Sequence, residues 1–194
     1  MSLGKLGLVL GVIGGALSLL DELSGDMKKA QGDIDKEVDR YFQKRQLDGK
    51  ETTTVRKTVK TLENRIYEIG KLAHNYKDDP LIHSIASRLA NISAQKYGER
   101  NQYGMIRVIH LFVLRGITYV PDPDHRDLYQ SPIQTLKLRR GDCDDFTSLI
   151  MALALNVGIP VRPKVIQTVD KQEWSHIYPL LAERKKGKNL RWIA

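Results

Sequence analysis

One cysteine in 194 residues excludes an intramolecular disulfide, and nothing else in the chain argues for an oxidising compartment. Aromatic residues are 7% of the total, too few for a platform on which bases could stack. A single cysteine and scattered histidines leave no metal-ligand spacing, so neither a metal nor a cofactor is expected. The apolar run from Leu6 to Leu20 is short of a comfortable bilayer span. It also lacks the basic start and small-residue cleavage site of a signal peptide. The net charge of +8 is spread, with 17 basic against 14 acidic residues over 1–100 and 14 against 9 over 101–194. Its dense cluster, Arg184-Lys-Lys-Gly-Lys188, reads as a solvated hairpin turn, and no specific nucleic-acid partner is expected.

What is present is enough for one ordinary core, with 41% hydrophobic and 28% charged residues, and an appended helical segment. No internal repeat or low-complexity tract interrupts it. Residues 1–22 read as an apolar glycine-rich helix, with glycines at 7, 11 and 15 forming a smooth stripe for close helix contact. Membrane contact, or burial in an assembly or against the rest of the chain, would each satisfy that pattern. Residues 23–98 read as a helical arm. A weak apolar stripe runs through Ile34, Val38, Tyr41 and Phe42, and a heptad seam is expected from Val55 through Leu62, Ile66, Ile69 and Ala73 to Tyr76. Asp78-Asp-Pro80 then ends one helix and caps the next, expected over Leu81 to about Tyr97. Such a seam wants a partner, so a homo-oligomer or a helical protein partner engaged through residues 1–76 is expected.

The lone cysteine stands in Gly141-Asp-Cys-Asp-Asp145, directly before a run with apolar residues at 146, 149, 150, 153 and 154, one face of a helix. Cys143 therefore opens a helix, where unpaired N–H groups and the positive end of the macrodipole favour thiolate over thiol. A lone cysteine is most often a small buried hydrophobe. Three aspartates beside it would be costly to desolvate, so the segment is expected at the lip of a cleft, with Cys143 a candidate nucleophile. Those carboxylates oppose ionisation of the thiol, and a histidine partner is needed. His74 and His83 lie in helical stretches, His110 in the apolar run Met105 to Leu114, and His125 in a polar loop. His176 lies in Trp174-Ser-His-Ile-Tyr178, an expected strand with His176 and Tyr178 on one face. A cysteine opening a helix and a histidine on a later strand form the two halves of a thiol–imidazole pair.

The ordered set Ile117-Thr-Tyr-Val-Pro-Asp-Pro123, Tyr129-Gln-Ser-Pro132, Thr135-Leu136, Gly141–Asp145, Gly158-Ile-Pro-Val-Arg162 and Ser175-His-Ile-Tyr178 resembles the transglutaminase-like core, a circularly related cousin of papain-type cysteine peptidases. The resemblance covers about residues 100–194 and implies Cys143 as nucleophile and His176 as general base. It also implies a third residue, an aspartate on the strand after the histidine strand, a few residues past a tryptophan. Trp192-Ile-Ala194 reaches that strand, where the sequence ends, which reads as a core truncated at its C-terminus. Glu183 has the wrong parity to face His176. Asn189 has suitable chemistry, since asparagine serves in papain-like enzymes, but falls in the turn.

The expected architecture is α+β: an N-terminal helical arm followed, over 99–194, by a transglutaminase-like, papain-like core of helices and antiparallel strands. The expected chemistry is thiol-dependent acyl transfer on the amide bonds of a protein or peptide substrate. Gln130 and Gln134 are candidate oxyanion donors beside the Cys143 backbone N–H. The alternative is a non-catalytic assembly protein of a phage particle or envelope complex that keeps the fold. A cytoplasmic or virion-associated setting is expected over secretion.

Overall fold

The computed structural model describes residues 24–47, 55–56, 61–122, 128–167, 174–184 and 190–194. Short polar side chains set most of the helix starts. Thr61 accepts a bond from the Asn64 amide and opens α2 (Leu62–Tyr76), after the long α1 (Ser24–Leu47). Asp79, followed by Pro80 at the first helical position, opens α3 (Pro80–Tyr97), and Asn101 opens α4 (Gln102–Gly116). Ser131 opens α5 (Pro132–Leu138) and Asp142 opens α6 (Cys143–Asn156).

Between and after the helices lie short strands: β1 (Val55–Arg56), β2 (Thr118–Tyr119), β3 (Leu128–Tyr129) and β4 (Arg140–Gly141). β1 pairs antiparallel with β3, and β2 pairs parallel with β4, tying the chain just before α6 to the end of α4. Three longer strands, β5 (Val161–Gln167), β6 (Trp174–Arg184) and β7 (Leu190–Ile193), form an antiparallel sheet with β6 in the middle. Ile166 faces His176 across β5 and β6, and Leu181 faces Ile193 across β6 and β7. Among the described residues this is an α+β fold of six helices and one three-stranded sheet beside two small ladders.

α6 is the hub. It packs against α2, α3, α4 and α5, and its remaining side lies on β6. The sequence pattern gave it one apolar face, yet Thr147, Ser148, Met151 and Ala152 are buried as well as Leu149, Ile150, Leu153 and Ala154. The polar members meet local acceptors: Ser148 Oγ donates to the Asp145 carbonyl and Thr147 Oγ1 to the Ile177 carbonyl. Small side chains and satisfied hydroxyls thus let neighbours close on every side. Gly158, at φ +74°, makes the turn from α6 into β5 at no steric cost.

The N-terminal helices join this same core. Met27, Ile34, Val38 and Phe42 of α1 and Ile69 and Ala73 of α2 are all buried in it. Arg139, which ends α5 in the left-handed region at φ 51°, is held there by bonds from its guanidinium to Asp35 and Asp39 of α1. The expected seam from Val55 is corrected at its start: Val55 belongs to β1 and α2 begins only at Leu62. Glu51-Thr-Thr-Thr-Val55 is rich in β-branched residues, which disfavour helix, and it is Thr61 that caps α2. Below it, Ile69 and Ala73 face the chain's own interior. The apolar segment 1–22 lies outside the described residues. Among those described, no helix is long and apolar enough to cross a membrane.

Candidate active site

The start of α6 is a tightly wired turn. Gly141 has no room for a side chain, because a Cβ there would come within 2.6 Å of Asp145 Cβ and Oδ2. Asp142 caps the helix through Oδ1, which accepts from the Asp144 amide at 3.0 Å and the Asp145 amide at 3.5 Å. Asp145 reaches back to accept from the Asp142 amide at 3.2 Å, closing a capping box. The backbone amide of Gln130 and its side-chain Nε2 also donate to Asp145, at 2.8 and 2.6 Å.

Contrary to the exposed lip expected from the sequence, Asp142, Cys143, Asp144 and Asp145 are all buried. The reason is visible in the partners. Asp142 and Asp145 are satisfied by helix amides and Gln130, while Asp144 Oδ2 takes Nε and Nη2 of Arg65, on α2, at 3.2 and 3.0 Å. A buried carboxylate is tolerable when bonded or paired: Asp142 and Asp145 accept amide hydrogens, and Asp144 meets a guanidinium.

Cys143 sits in the first turn with Sγ 3.7 Å from Asp144 Oδ1 and the Ile177 backbone N–H of β6 directed at the sulfur. Thr147, one turn on, donates to the Ile177 carbonyl. The opening of α6 is therefore stitched to β6 on both sides of Ile177, which brings the residue before it, His176, to the cysteine's end of the helix. His176 is half-buried, and its ring stacks on Tyr178 at 6.3 Å between centroids, as expected for two residues on one strand face.

The charges around the sulfur act against the thiolate expected at a helix start. Burial pushes the Cys143 thiol up to about 12, with the Asp144 and Asp142 carboxylates adding to it; the Ile177 N–H and Arg65 pull the other way. Desolvation and two adjacent anions outweigh the helix dipole, whose effect is of order 1 kcal/mol. Asp142 is pushed up to about 8 by burial and by Asp144, Asp145 and Asp122, and burial raises Asp145 to about 6. His176 is lowered from its ordinary value by burial, with Asp144 opposing and Arg65 assisting. Both shifts favour the uncharged forms, a thiol at Cys143 and an imidazole at His176.

The remaining candidates are placed as follows. Gln130 spends its amide nitrogen on Asp145, with the Arg140 carbonyl at 3.3 Å, so its geometry serves the capping turn. Gln134 is buried in the first turn of α5. Asn189 lies outside the described residues, as does His125. Glu183 pairs with Arg191 at 2.6 Å, and β7 runs alongside Leu181 to Arg184, away from His176. His110 is part-buried with its Nδ1 2.9 Å from the Ile106 carbonyl, and His74 and His83 are exposed. Asp142, Cys143 and Asp144 each offer a donor atom within 4.8 Å of one another, but the two carboxylates are engaged by the protein's own amides and by Arg65.

With this geometry in view, the comparison with family models is specific: the transglutaminase-like superfamily model matches residues 90–194. The chain belongs to the transglutaminase-like superfamily. Domains of this superfamily commonly carry cysteine-dependent acyl transfer. Searches of curated proteins and of solved structures return no match. The superfamily segment holds Cys143, His176 and the sheet, and begins within α3.

Two side chains at the site were not found by reading the sequence. Arg65 is 79 positions from its partner Asp144, on a helix whose polar residues look uniformly solvated in one dimension. Tyr119, on β2, is 55% exposed, yet partial desolvation and then the charges of Cys143, Asp142, Asp144 and Asp122 raise it to about 12, and its ring meets Phe146 edge-on at 5.9 Å. An aromatic residue three positions past α4 carries no local signal of that neighbourhood.

Proposed function

We propose that the chain is a thiol-dependent acyl-transfer enzyme acting on amide bonds of a protein or peptide, with Cys143 as nucleophile and His176 as general base. The observation that carries this reading is the seam between α6 and β6, where the Cys143 sulfur meets the backbone of Ile177, the residue next to His176. Because thiol and imidazole are both neutral, attack is coupled to proton transfer. Sγ bonds to the carbonyl carbon while the S–H proton passes to the His176 imidazole and the C=O π electrons move to oxygen. The Cys143 backbone N–H, at the first helical position and without an intrahelical acceptor, is available to that oxyanion. On collapse the C–N bond breaks and the imidazolium gives its proton to the leaving amine. Water, or a second amine, then attacks the thioester carbon with His176 again as base, and the thiol is restored.

A non-catalytic assembly protein is the second reading, favoured by the burial that holds the Cys143 thiol protonated. N,N-dimethylcasein, incubated with and without a fluorescent primary amine, separates the two. Peptide release or amine incorporation that disappears in Cys143→Ala supports the enzyme. No signal above that variant removes the acyl-transfer reading and leaves the second.

A further inference from the structure

We propose that Arg65 of α2, supplied from outside the superfamily segment, is a positioning residue of the site: it holds the Asp144 carboxylate in place beside the sulfur and sets the reactivity of Cys143. The assignment rests on Cys143 acting as the nucleophile. Asp144 has two oxygens with different neighbours. Oδ2 takes two guanidinium nitrogens of Arg65, and Oδ1 lies 3.7 Å from Cys143 Sγ. The carboxylate is almost wholly buried, with 1% of its side chain exposed against 20% for Arg65, so the pair is shielded from the screening that weakens surface ion pairs.

An unpaired anion at Asp144 would sit against the thiol, retain its proton and repel the developing charge on sulfur. Arg65 cancels that charge, and its planar fork fixes which oxygen faces the cysteine. Asp142 on the same turn and Tyr119 of β2 also interact with the sulfur, while Asp145 and Asp122 act on Asp142, and His176 of β6 feels Asp144 and Arg65. Arg65 is the single cation acting on Cys143 among these described groups. The site therefore spans two parts of the chain: the nucleophile and base come from the superfamily segment, and the counter-charge comes from the helices before it.

The test is the rate at which iodoacetamide alkylates Cys143 in the full chain across pH. It needs no substrate, so it reads Arg65 even if no amide is turned over. Arg65→Gln is expected to slow labelling at pH 8 by about tenfold, the equivalent of one pH unit in the profile. Arg65→Lys, which keeps the charge, should stay within about threefold of wild type. Asp144→Asn should label faster than wild type, and adding it to Arg65→Gln should restore the lost rate, a rescue that a purely structural role would not produce. Wild-type labelling by a folded Arg65→Gln protein overturns the proposal, as does a slow double variant. If Arg65→Gln does not fold, Asp144→Asn decides alone, and a rate no faster than wild type overturns it. His176→Gln, run alongside, reports separately on the acyl-transfer reading.

Discussion

Two helices of this protein start with the same device and end up in opposite electrostatic settings. At α3, Asp79 caps through a bond from the Leu81 amide and also accepts from the Tyr41 hydroxyl, with Arg45 3.6 Å away. Its carboxylate has a phenol and a cation for company, and burial together with Asp79 raises Tyr41 to about 12. At α6, Asp142 caps in the same way but is buried among Asp144, Asp145 and Asp122, and is itself pushed up to about 8. One cap is compensated and structural. The other gathers carboxyls so closely around a buried thiol that the cap itself tends to hold its proton. The lesson is that an aspartate N-cap is a local rule, while its energetic meaning is set by what other elements bring to it.

The comparison breaks hardest if the α6 start carries no chemistry. Cys143→Ala and His176→Ala are each expected to lower amide turnover by a factor on the order of 10⁴, as for nucleophile and base acting as a unit. The assay on dimethylcasein measures it, and retention of turnover by either variant would show the two helix starts to be equivalent.

The pH profile sharpens the same contrast. His176 must be neutral to accept a proton, and its folded value is lowered, so the base form persists below the ordinary value of 6.5 and is lost only as pH falls through the lowered value. Activity should be level from neutral pH down to about 6.5 and drop about tenfold per unit further down, following a single protonation. A midpoint above 6.5 would mean that the neighbouring carboxylates, not burial, govern the imidazole.

Stability supplies the next test. Asp142 and Asp145 have folded values raised above the ordinary 3.8, so the folded chain holds protons that the unfolded chain releases between that value and about 8. Their contribution is present at the acid end of this window and is lost as pH rises through it, the reverse of a salt-bridged carboxylate. Asp142→Asn keeps an oxygen for the Asp144 amide and removes the charge. It should melt higher than wild type at pH 9 and little differently at pH 5, with about 2–4 °C for each kcal/mol in a chain of this size. Calorimetry at the two pH values checks it, and parallel pH dependence in both proteins would contradict the assignment.

The smallest effect is expected at the compensated cap. Asp79→Ala should cost about 1–2 kcal/mol, through the lost bond to the Leu81 amide and the orphaned Tyr41 hydroxyl. Chemical denaturation measures this. Iodoacetamide labelling of Cys143 should be unchanged, since Asp79 has no role near the sulfur, and a change would mean that the two helix starts communicate.

Much of this molecule was legible in one dimension because the relevant rules are local. The starts of α3 and α6, most of the apolar positions that α1 and α6 bury and the strand holding His176 follow from caps and periodicity, and the superfamily from an ordered set of motifs. What the sequence could not decide was the charge state at the site. Whether an aspartate beside a cysteine is solvated or buried, paired or alone, depends on groups that arrive from elsewhere: Arg65 from α2, Gln130 from the loop before α5, Tyr119 from β2 and Ile177 from β6. Proton affinities depend on every charge and every excluded water within several ångströms, and only the tertiary structure collects those neighbours.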